Sequence, residues 1–469
     1  MKKIKKIPAL ILSFCTAFNM TACNENKPDS SEETIPETTA LTNTEPTESA
    51  YSEPDISGQT IYWIADYNLN PEENENRSTA LSLFNDVYGA NIEYIHTDRN
   101  KIFETIDERI LSGEPVDMVP YQINSVPEGV IKNIYQPLDD YFDVLEWDSE
   151  LWEDMHETAE MFSYDGNHYV IPYSISDPFV ITYSRKLMKS EKLDDPYELY
   201  KQGKWDWNTF NQMTEKFISQ QTEYKRYGIA GYFGEACLYS TGKKVVSLED
   251  GKLVNNINDL EIAKAEEFMI KTADIYNDGW HSSFPQNMNT LFYAMQDWSI
   301  KESNALNPDA DLMIVPFPKS PDSDKYYMYA NYNARMLVKG SDKGNAVAEY
   351  IKCERLAETS EKYKDAKKAL ATQKITTPKG ITVGYITDEQ YDALQEYTDP
   401  TKLTPVFDFG YGMGSVMYGE GNYDFETRGI MNRLAYEFIE QKGNAESWEK
   451  LREICSGTID EEIKKLQKG

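Results

Sequence analysis

The sequence predicts an α/β protein of two domains, each a β-sheet flanked by helices. Three observations predict it. The chain after residue 56 runs to about 410 residues, more than one ordinary hydrophobic core accommodates. Its first sixty residues alternate short β-rich runs with segments of helical periodicity. Strand-like and helix-like runs then return after residue 169 and continue to the end.

The elements follow in order. Residues 61–65 (Ile-Tyr-Trp-Ile-Ala) form a β-rich run after Gly58. Ala80, Leu83, Phe84, Val87 and Tyr88 recur at helical spacing, and Gly89 suits the helix end. Residues 92–95 read as a second strand. Ile102, Phe103, Ile106 and Ile110 mark an amphipathic helix stopped by Gly113, and residues 116–119 read as a third strand. This β-α-β-α-β order marks a parallel sheet with helices on its faces. Ligands bind outside the carboxyl ends of such strands. That rule selects Asp66 and Tyr67, Thr97 and Asp98, and Tyr121 and Gln122. Residues 169–173 and 179–183 read as two strands of a new unit. A helix-rich stretch follows through 205–210, with Asp206 or Asn208 as its cap. Residues 312–315 are a strand, and 335–338 lead into a helix carrying Val347, Tyr350 and Ile351. The last helix carries Trp448, Leu451, Cys455, Ile459 and Ile463, and no internal repeat is visible.

Composition narrows the function. The formal net charge is -32, from 47 basic and 79 acidic residues. Removing the four lysines before residue 22 takes -32 to -36, which argues against nucleic acid or an anionic membrane surface as partners. Aromatics are abundant, with 33 Tyr and 8 Trp, and suit a site that stacks on flat ligand faces. Cys237, Cys353 and Cys455 are far apart and read as buried small hydrophobes.

The N-terminus carries a basic run, Met-Lys-Lys-Ile-Lys-Lys, and then a short apolar run. That run is too short to span a bilayer and reads as a cleavable signal. Met20-Thr21-Ala22-Cys23 resembles the lipobox of bacterial lipoproteins, with Met20 where Leu is usual. The resemblance implies a signal peptide at 1–22 and lipidation of Cys23. Residues 23–56 are rich in Ser, Thr, Glu and Pro, and read as a disordered acidic tether. The expected location is the outer face of the cell membrane, or the periplasm where a second membrane exists.

Several further segments resemble one family, in order along the chain. These are 112–117 (Ser-Gly-Glu-Pro-Val-Asp), 165–172 (Asp-Gly-Asn-His-Tyr-Val-Ile-Pro) and 181–187 (Ile-Thr-Tyr-Ser-Arg-Lys-Leu). They continue as 205–210 (Trp-Asp-Trp-Asn-Thr-Phe), 227–231 (Tyr-Gly-Ile-Ala-Gly), 315–319 (Val-Pro-Phe-Pro-Lys) and 339–343 (Lys-Gly-Ser-Asp-Lys). Together they are similar to the extracellular solute-binding proteins of ABC transporters, family 1, the maltose-binding-like type. Ser184 departs from the family pattern, where Asn is usual, and the segment around Phe284 and 292–298 keeps only part of its motif. The resemblance implies a type II periplasmic-binding-protein-like fold, with lobe 1 at 57–171 plus 330–398 and lobe 2 at 172–329 plus 399–469. It also implies a ligand cleft between the lobes, hinge closure, and delivery of a mono- or oligosaccharide to a permease, with no bond made or broken and no cofactor. A monomer is expected, touching the membrane only through its lipid.

A sugar site needs aromatic platforms and a few aimed polar groups. For the first lobe these are Trp63, Asp66, Tyr67, Tyr121, Gln122, Asn331 and Tyr332. Across the cleft they are Tyr173, Asp177, Phe233, Glu235 and Trp298, and Tyr411 joins them from the last segment. Each has a plainer reading as a core, hinge or solvated residue, and Trp205 and Trp207 read as helix-start packing. Rival chemistries are weaker. His156-Glu157-Thr158-Ala159-Glu160 lacks the second histidine of a zinc protease motif, and no metal site is expected. Gly410-Tyr411-Gly412-Met413-Gly414 lacks the spacing of a phosphate loop. A surface-attached glycan-degrading enzyme and a receptor for a peptide or polyamine remain as alternatives.

Overall fold

The computed structural model describes residues 54–71, 77–98, 101–122, 125–220, 223–277, 282–377, 379–408, 410–418, 429–441 and 447–467. The expected signal peptide, Cys23 and the tether up to residue 53 lie outside the described residues. Among those described, no helix is long and apolar enough to cross a membrane.

Two sheets organise the chain. In chain order their strands are β1 (Thr60–Ala65), β2 (Asn91–His96), β3 (Met118–Pro120), β4 (Tyr135–Gln136), β5 (Ile171–Ser176) and β6 (Phe179–Ser184). They continue as β7 (Tyr227–Gly231), β8 (Tyr276–Asn277), β9 (Thr290–Gln296) and β10 (Leu312–Pro316). Last come β12 (Asn331–Val338) and, outside the two sheets, β11 (Tyr327–Tyr329) and β13 (Thr404–Val406). The first sheet runs β2-β1-β3-β12-β4, with β5 also on β12. Here β1 is parallel to β2 and β3, as the β-α-β-α-β reading requires, while β12 is antiparallel to its neighbours. The second sheet runs β8-β7-β9-β6-β10. β11 pairs with β13 in a separate parallel ladder.

Burial explains why these segments are strands. Every residue of β6 and β10 is buried, the pattern of strands covered on both faces. The helix Ile102–Ser112 ends as expected: Gly113 adopts φ 70 and its amide donates to the Arg109 and Ile110 carbonyls. Asp206, not Asn208, caps the helix Trp207–Ile218, accepting from the Thr209 amide at 2.8 Å. Trp205 is core, its indole N–H donating to the Pro316 carbonyl at 2.8 Å, and Trp207 stacks on Phe268 at 4.8 Å. The three described cysteines are buried and free.

The structure moves two segments relative to the sequence reading. β5 belongs wholly to the first sheet, paired with β12, although residues 172–176 read as the start of a second unit. The chain therefore crosses at Asp177 and Pro178. The helix Asp388–Tyr397, expected with lobe 1, packs on β10 of the second sheet. Its Gln390 amide donates to the Leu312 carbonyl at 2.8 Å, Tyr397 donates to the Ile314 carbonyl at 3.2 Å, and Glu389 pairs with Arg185. Long-range pairing decides both placements, and apolar periodicity carries no record of it.

Candidate functional site

Two of the places where the chain leaves or enters the first sheet lie side by side. The first is Asp177-Pro178, between β5 and β6. Asp177 sits at φ 47, in the left-handed region, so the strand direction breaks there. The second is Ala330, between β11 and β12. Asn331 is in register with Ser176, which brings the crossings side by side. Its side-chain amide donates to Asp177 Oδ2 at 3.4 Å.

The second sheet brings further polar groups to this place. Gln296 of β9 is in register with Phe179, so Asp297 and Trp298 follow at the level of Pro178 and Asp177. Burial first, and then the neighbouring Asp177 charge, raise the Asp297 carboxyl to about 7, while Lys301 and the Trp298 amide pull the other way. Trp298 is half-buried, and its indole N–H donates to Gln296 Oε1 at 3.3 Å. β7 ends on Gly231 at φ +82, where a Cβ would lie 2.1 Å from the Ala294 carbonyl oxygen, so only glycine allows this approach. The approach sets the next residue, Tyr232, whose amide donates to that same carbonyl at 2.7 Å. Glu235 follows on the helix Phe233–Tyr239, half-buried, and burial pushes its carboxyl up to about 7.

Aromatic rings form two groups around the crossings. On the second-sheet side Phe179 lies 5.8 Å from Tyr232 and 4.7 Å from Tyr329, and Tyr329 stacks on Tyr239 at 4.1 Å. On the first-sheet side Tyr332 lies 4.8 Å from Tyr121, 4.2 Å from Phe162 and 5.0 Å from Phe407. Tyr121, Tyr232, Tyr329 and Tyr332 are all half-buried, so each keeps part of its surface open. Half-buried rings beside carboxylates and amides suit a neutral ligand with apolar faces and a hydroxyl-rich edge.

No protein-family model matches the chain, and no curated protein sequence does. Solved structures do match. A sugar transporter protein of Rhizobium etli in an open conformation superposes at TM-score 0.61 with 13% identity, over 86% of this chain and 99% of that one. The cyclic alpha-maltosyl-1,6-maltose binding protein of Arthrobacter globiformis gives 0.59 and 12%, over 87% and 99%. The GacH receptor of Streptomyces glaucescens, solved unliganded and with acarbose, gives 0.55 and 13%, over 87% and 98%. The chain has the type II periplasmic-binding-protein fold. Its two sheets flanked by helices are consistent with the two lobes of that fold.

Within this two-lobed fold the residues selected from sequence fall into three groups. Asp177, Asn331, Tyr332, Tyr121 and Trp298 gather at the crossings, while Glu235 lies on the helix that follows β7. Asp66 is exposed and Gln122 half-buried, at the ends of β1 and β3, where the strand-end rule places them. The others are packed. Trp63 and Phe233 are 0% exposed and Tyr411 is 1% exposed, so none of the three offers a face to a ligand. Trp63 lies under Arg335, its ring centre 4.7 Å from the guanidinium, and its indole donates to the Tyr67 carbonyl. Phe233 packs among Phe210, Phe268 and Phe317. Tyr411 takes φ 45, and its hydroxyl accepts from Lys244 at 3.0 Å, in a turn that packs on Ser125–Gly129. Tyr173 and Tyr67 both accept from Arg335, at 3.0 and 3.1 Å, which turns their hydroxyls to the interior.

Sequence reasoning missed Asp297, Tyr232 and Tyr329. Tyr232 was within reach of the strand-end rule, since it directly follows β7. Asp297 carried no signal of its own among 79 acidic residues. A separate depression of about 560 Å³ lies at the far end of β6, lined by Arg185, Lys186, Lys189, Asp195 and Asp311. Arg185 is already paired there with Asp195 and Glu389.

Proposed function

We propose that the protein captures a mono- or oligosaccharide between its lobes and delivers it to an ABC transporter permease. The carrying observation is the meeting of half-buried tyrosines and Trp298 with Asp177, Asp297 and Asn331 at two adjacent crossings. A hinge at Asp177-Pro178 and Ala330 needs only a few backbone torsions to close one lobe on the other. The similar proteins named above are described as sugar transporter, binding protein and receptor, which supports capture rather than catalysis. We further propose lobes that meet at these two crossings, a monomer, and a lipid anchor on Cys23 outside the cell membrane.

Thermal shift against neutral saccharides, polyamines and short peptides tests the ligand class. A ligand that binds only the folded state, at a hundred times its Kd, adds about 2.7 kcal/mol of apparent stability. Neutral saccharides are expected to raise the melt, and Trp298→Ala to weaken that response at least tenfold in ligand concentration. A melt raised by cationic ligands alone would overturn the sugar assignment. Turnover of a glycan that disappears on changing Asp177 or Asp297 would point to the enzyme instead.

The anchor has its own test. Cells expressing the Cys23→Ser chain should release it to the aqueous fraction and incorporate no labelled fatty acid into it. Membrane retention of that variant with label still attached would rule out Cys23 as the anchor.

A further inference from the structure

We infer that Asp408 is a positioning residue for the proposed saccharide site: its carboxylate fixes both aromatic groups beside the crossings, one through Tyr239 and the other through the turn that follows Phe407. The inference rests on the sugar-receptor reading for its ligand, and on hydrogen bonds and ring geometry for the positioning itself.

Strand pairing sets the place of Asp408. β13 runs parallel to β11 with Val406 in register with Tyr329. Phe407 therefore follows at the level of Ala330, and Asp408 lies one residue beyond. Both side chains are buried, Phe407 at 2% exposed and Asp408 at 6%. A buried carboxyl needs hydrogen-bond donors, and this one has them on both oxygens. Oδ2 accepts from the Tyr239 hydroxyl at 3.2 Å, and Oδ1 accepts from the Gly410 amide at 3.2 Å.

The two bonds act on different rings. Tyr239 ends the helix Phe233–Tyr239, is 1% exposed, and stacks on Tyr329 at 4.1 Å with the ring planes 22° apart. A phenol held at its hydroxyl cannot tilt freely, so the Asp408 bond fixes the surface on which Tyr329 lies. Tyr329 in turn meets Phe179 at 4.7 Å. The bond to Gly410 runs from a side chain to the amide two residues on, the closure of an Asx-turn. It holds a turn in which Gly410 takes φ 67 and Tyr411 φ 45, packed on Ser125–Gly129. That turn fixes the path on which Phe407 leaves β13. Phe407 lies 5.0 Å from Tyr332 and 5.9 Å from Phe162. One carboxylate thus stands behind both Tyr329 and Tyr332, the half-buried rings of the two groups.

A residue so placed acts on affinity through preorganisation. Each ring that must be ordered afresh when a ligand arrives weakens binding by about two- to tenfold. Tyr239→Phe loosens the second-sheet group alone, while Asp408→Ala loosens both. Asp408→Asn keeps the shape, since its oxygen can accept from the Gly410 amide while its nitrogen donates to the Tyr239 oxygen.

Two measurements on the full chain decide the matter. The first is calorimetric binding of maltotriose, cellotriose and galactobiose, below the melt of every variant. For whichever saccharide binds, Tyr239→Phe should weaken affinity about threefold and Asp408→Ala about tenfold, and Asp408→Asn should recover most of that loss. Affinity untouched in Tyr239→Phe and Asp408→Ala, or lost as fully in Asp408→Asn as in Asp408→Ala, overturns the positioning role. The second needs no ligand: fluorine NMR of the chain labelled with 3-fluorotyrosine, the Tyr329 line being assigned through Tyr329→Phe. That line should be single in wild type and in Asp408→Asn, and broadened or split in Asp408→Ala and Tyr239→Phe. If Asp408→Ala does not fold, Tyr239→Phe carries the same comparison. A sharp, single Tyr329 line in the folded variants overturns the inference. If no saccharide binds, the sugar-receptor reading fails while the fluorine line still decides whether Asp408 positions Tyr329.

Discussion

Arg335→Met is expected to cost about 3–5 kcal/mol of stability, the largest loss of any single change in the first lobe. The guanidinium is buried on β12 and meets Glu354 at 2.5 Å, with both side chains under a tenth exposed. It donates to Tyr173 and Tyr67 and lies over the Trp63 ring at 4.7 Å. Burial already drives the Glu354 carboxyl up to about 7, and Arg335 is the group that pulls it down. Without the arginine that carboxyl moves further up and takes a proton. The variant should then weaken as pH rises, because a carboxyl raised by folding supports the fold only below its titration. Urea unfolding at pH 6 and pH 8 measures both effects. The double change Arg335→Met with Glu354→Leu should recover most of the loss, since two apolar side chains of similar volume remove the charge and its orphaned partner together. A single variant that unfolds within about 1 kcal/mol of wild type would show that the cluster does not hold the lobe. The consequence for function is local. Tyr67, just beyond β1, is oriented by this arginine, so the packing at the end of β1 depends on it.

Glu266→Met is expected to act in the opposite direction and stabilise the second lobe. Glu266 lies on the helix Leu260–Thr272, is 0% exposed, and neither carboxyl oxygen has a hydrogen-bond partner among the described residues. Burial raises its carboxyl well above the ordinary range, Arg452 opposes the shift, and Glu437 adds to it. Burial thus favours the neutral form of this carboxyl in the folded chain more than in the unfolded one. As pH climbs above the ordinary carboxylate value, wild type therefore loses about 1.4 kcal/mol per pH unit relative to a residue that does not titrate. The Met side chain keeps the volume and carries no proton to account for. Chemical denaturation of both proteins at pH 5, 6, 7 and 8 should show an advantage for the variant that widens with pH. An advantage that stays flat, or a variant less stable at pH 8, would mean that Glu266 is ionised and partnered in solution.

Much of the fold was legible in the sequence because its signals are local. The strands at 61–65, 92–95 and 312–315 and the caps at Gly113 and Asp206 lie where apolar runs and helix-end chemistry place them. The candidate site was legible in part, and for the same reason. Asp66, Tyr121 and Gln122 follow strand ends, a position that sequence can count. Trp63, Phe233 and Tyr411 resemble ligand platforms in one dimension and are core in three. An aromatic on a strand or helix faces solvent or interior according to the layer packed on it, and that layer comes from elsewhere in the chain.

What the sequence by itself determined is the local elements named above and an acidic charge that argues against nucleic acid as a partner. Each follows from composition or from spacing over a few residues. Only the tertiary structure decided that β5 joins the first sheet, that Asp388–Tyr397 packs on the second, and that Asn331 stands beside Asp177. These placements join residues 78 or more positions apart in the chain. Strand register and hydrogen bonding select them, and those forces act only once the chain has folded back on itself.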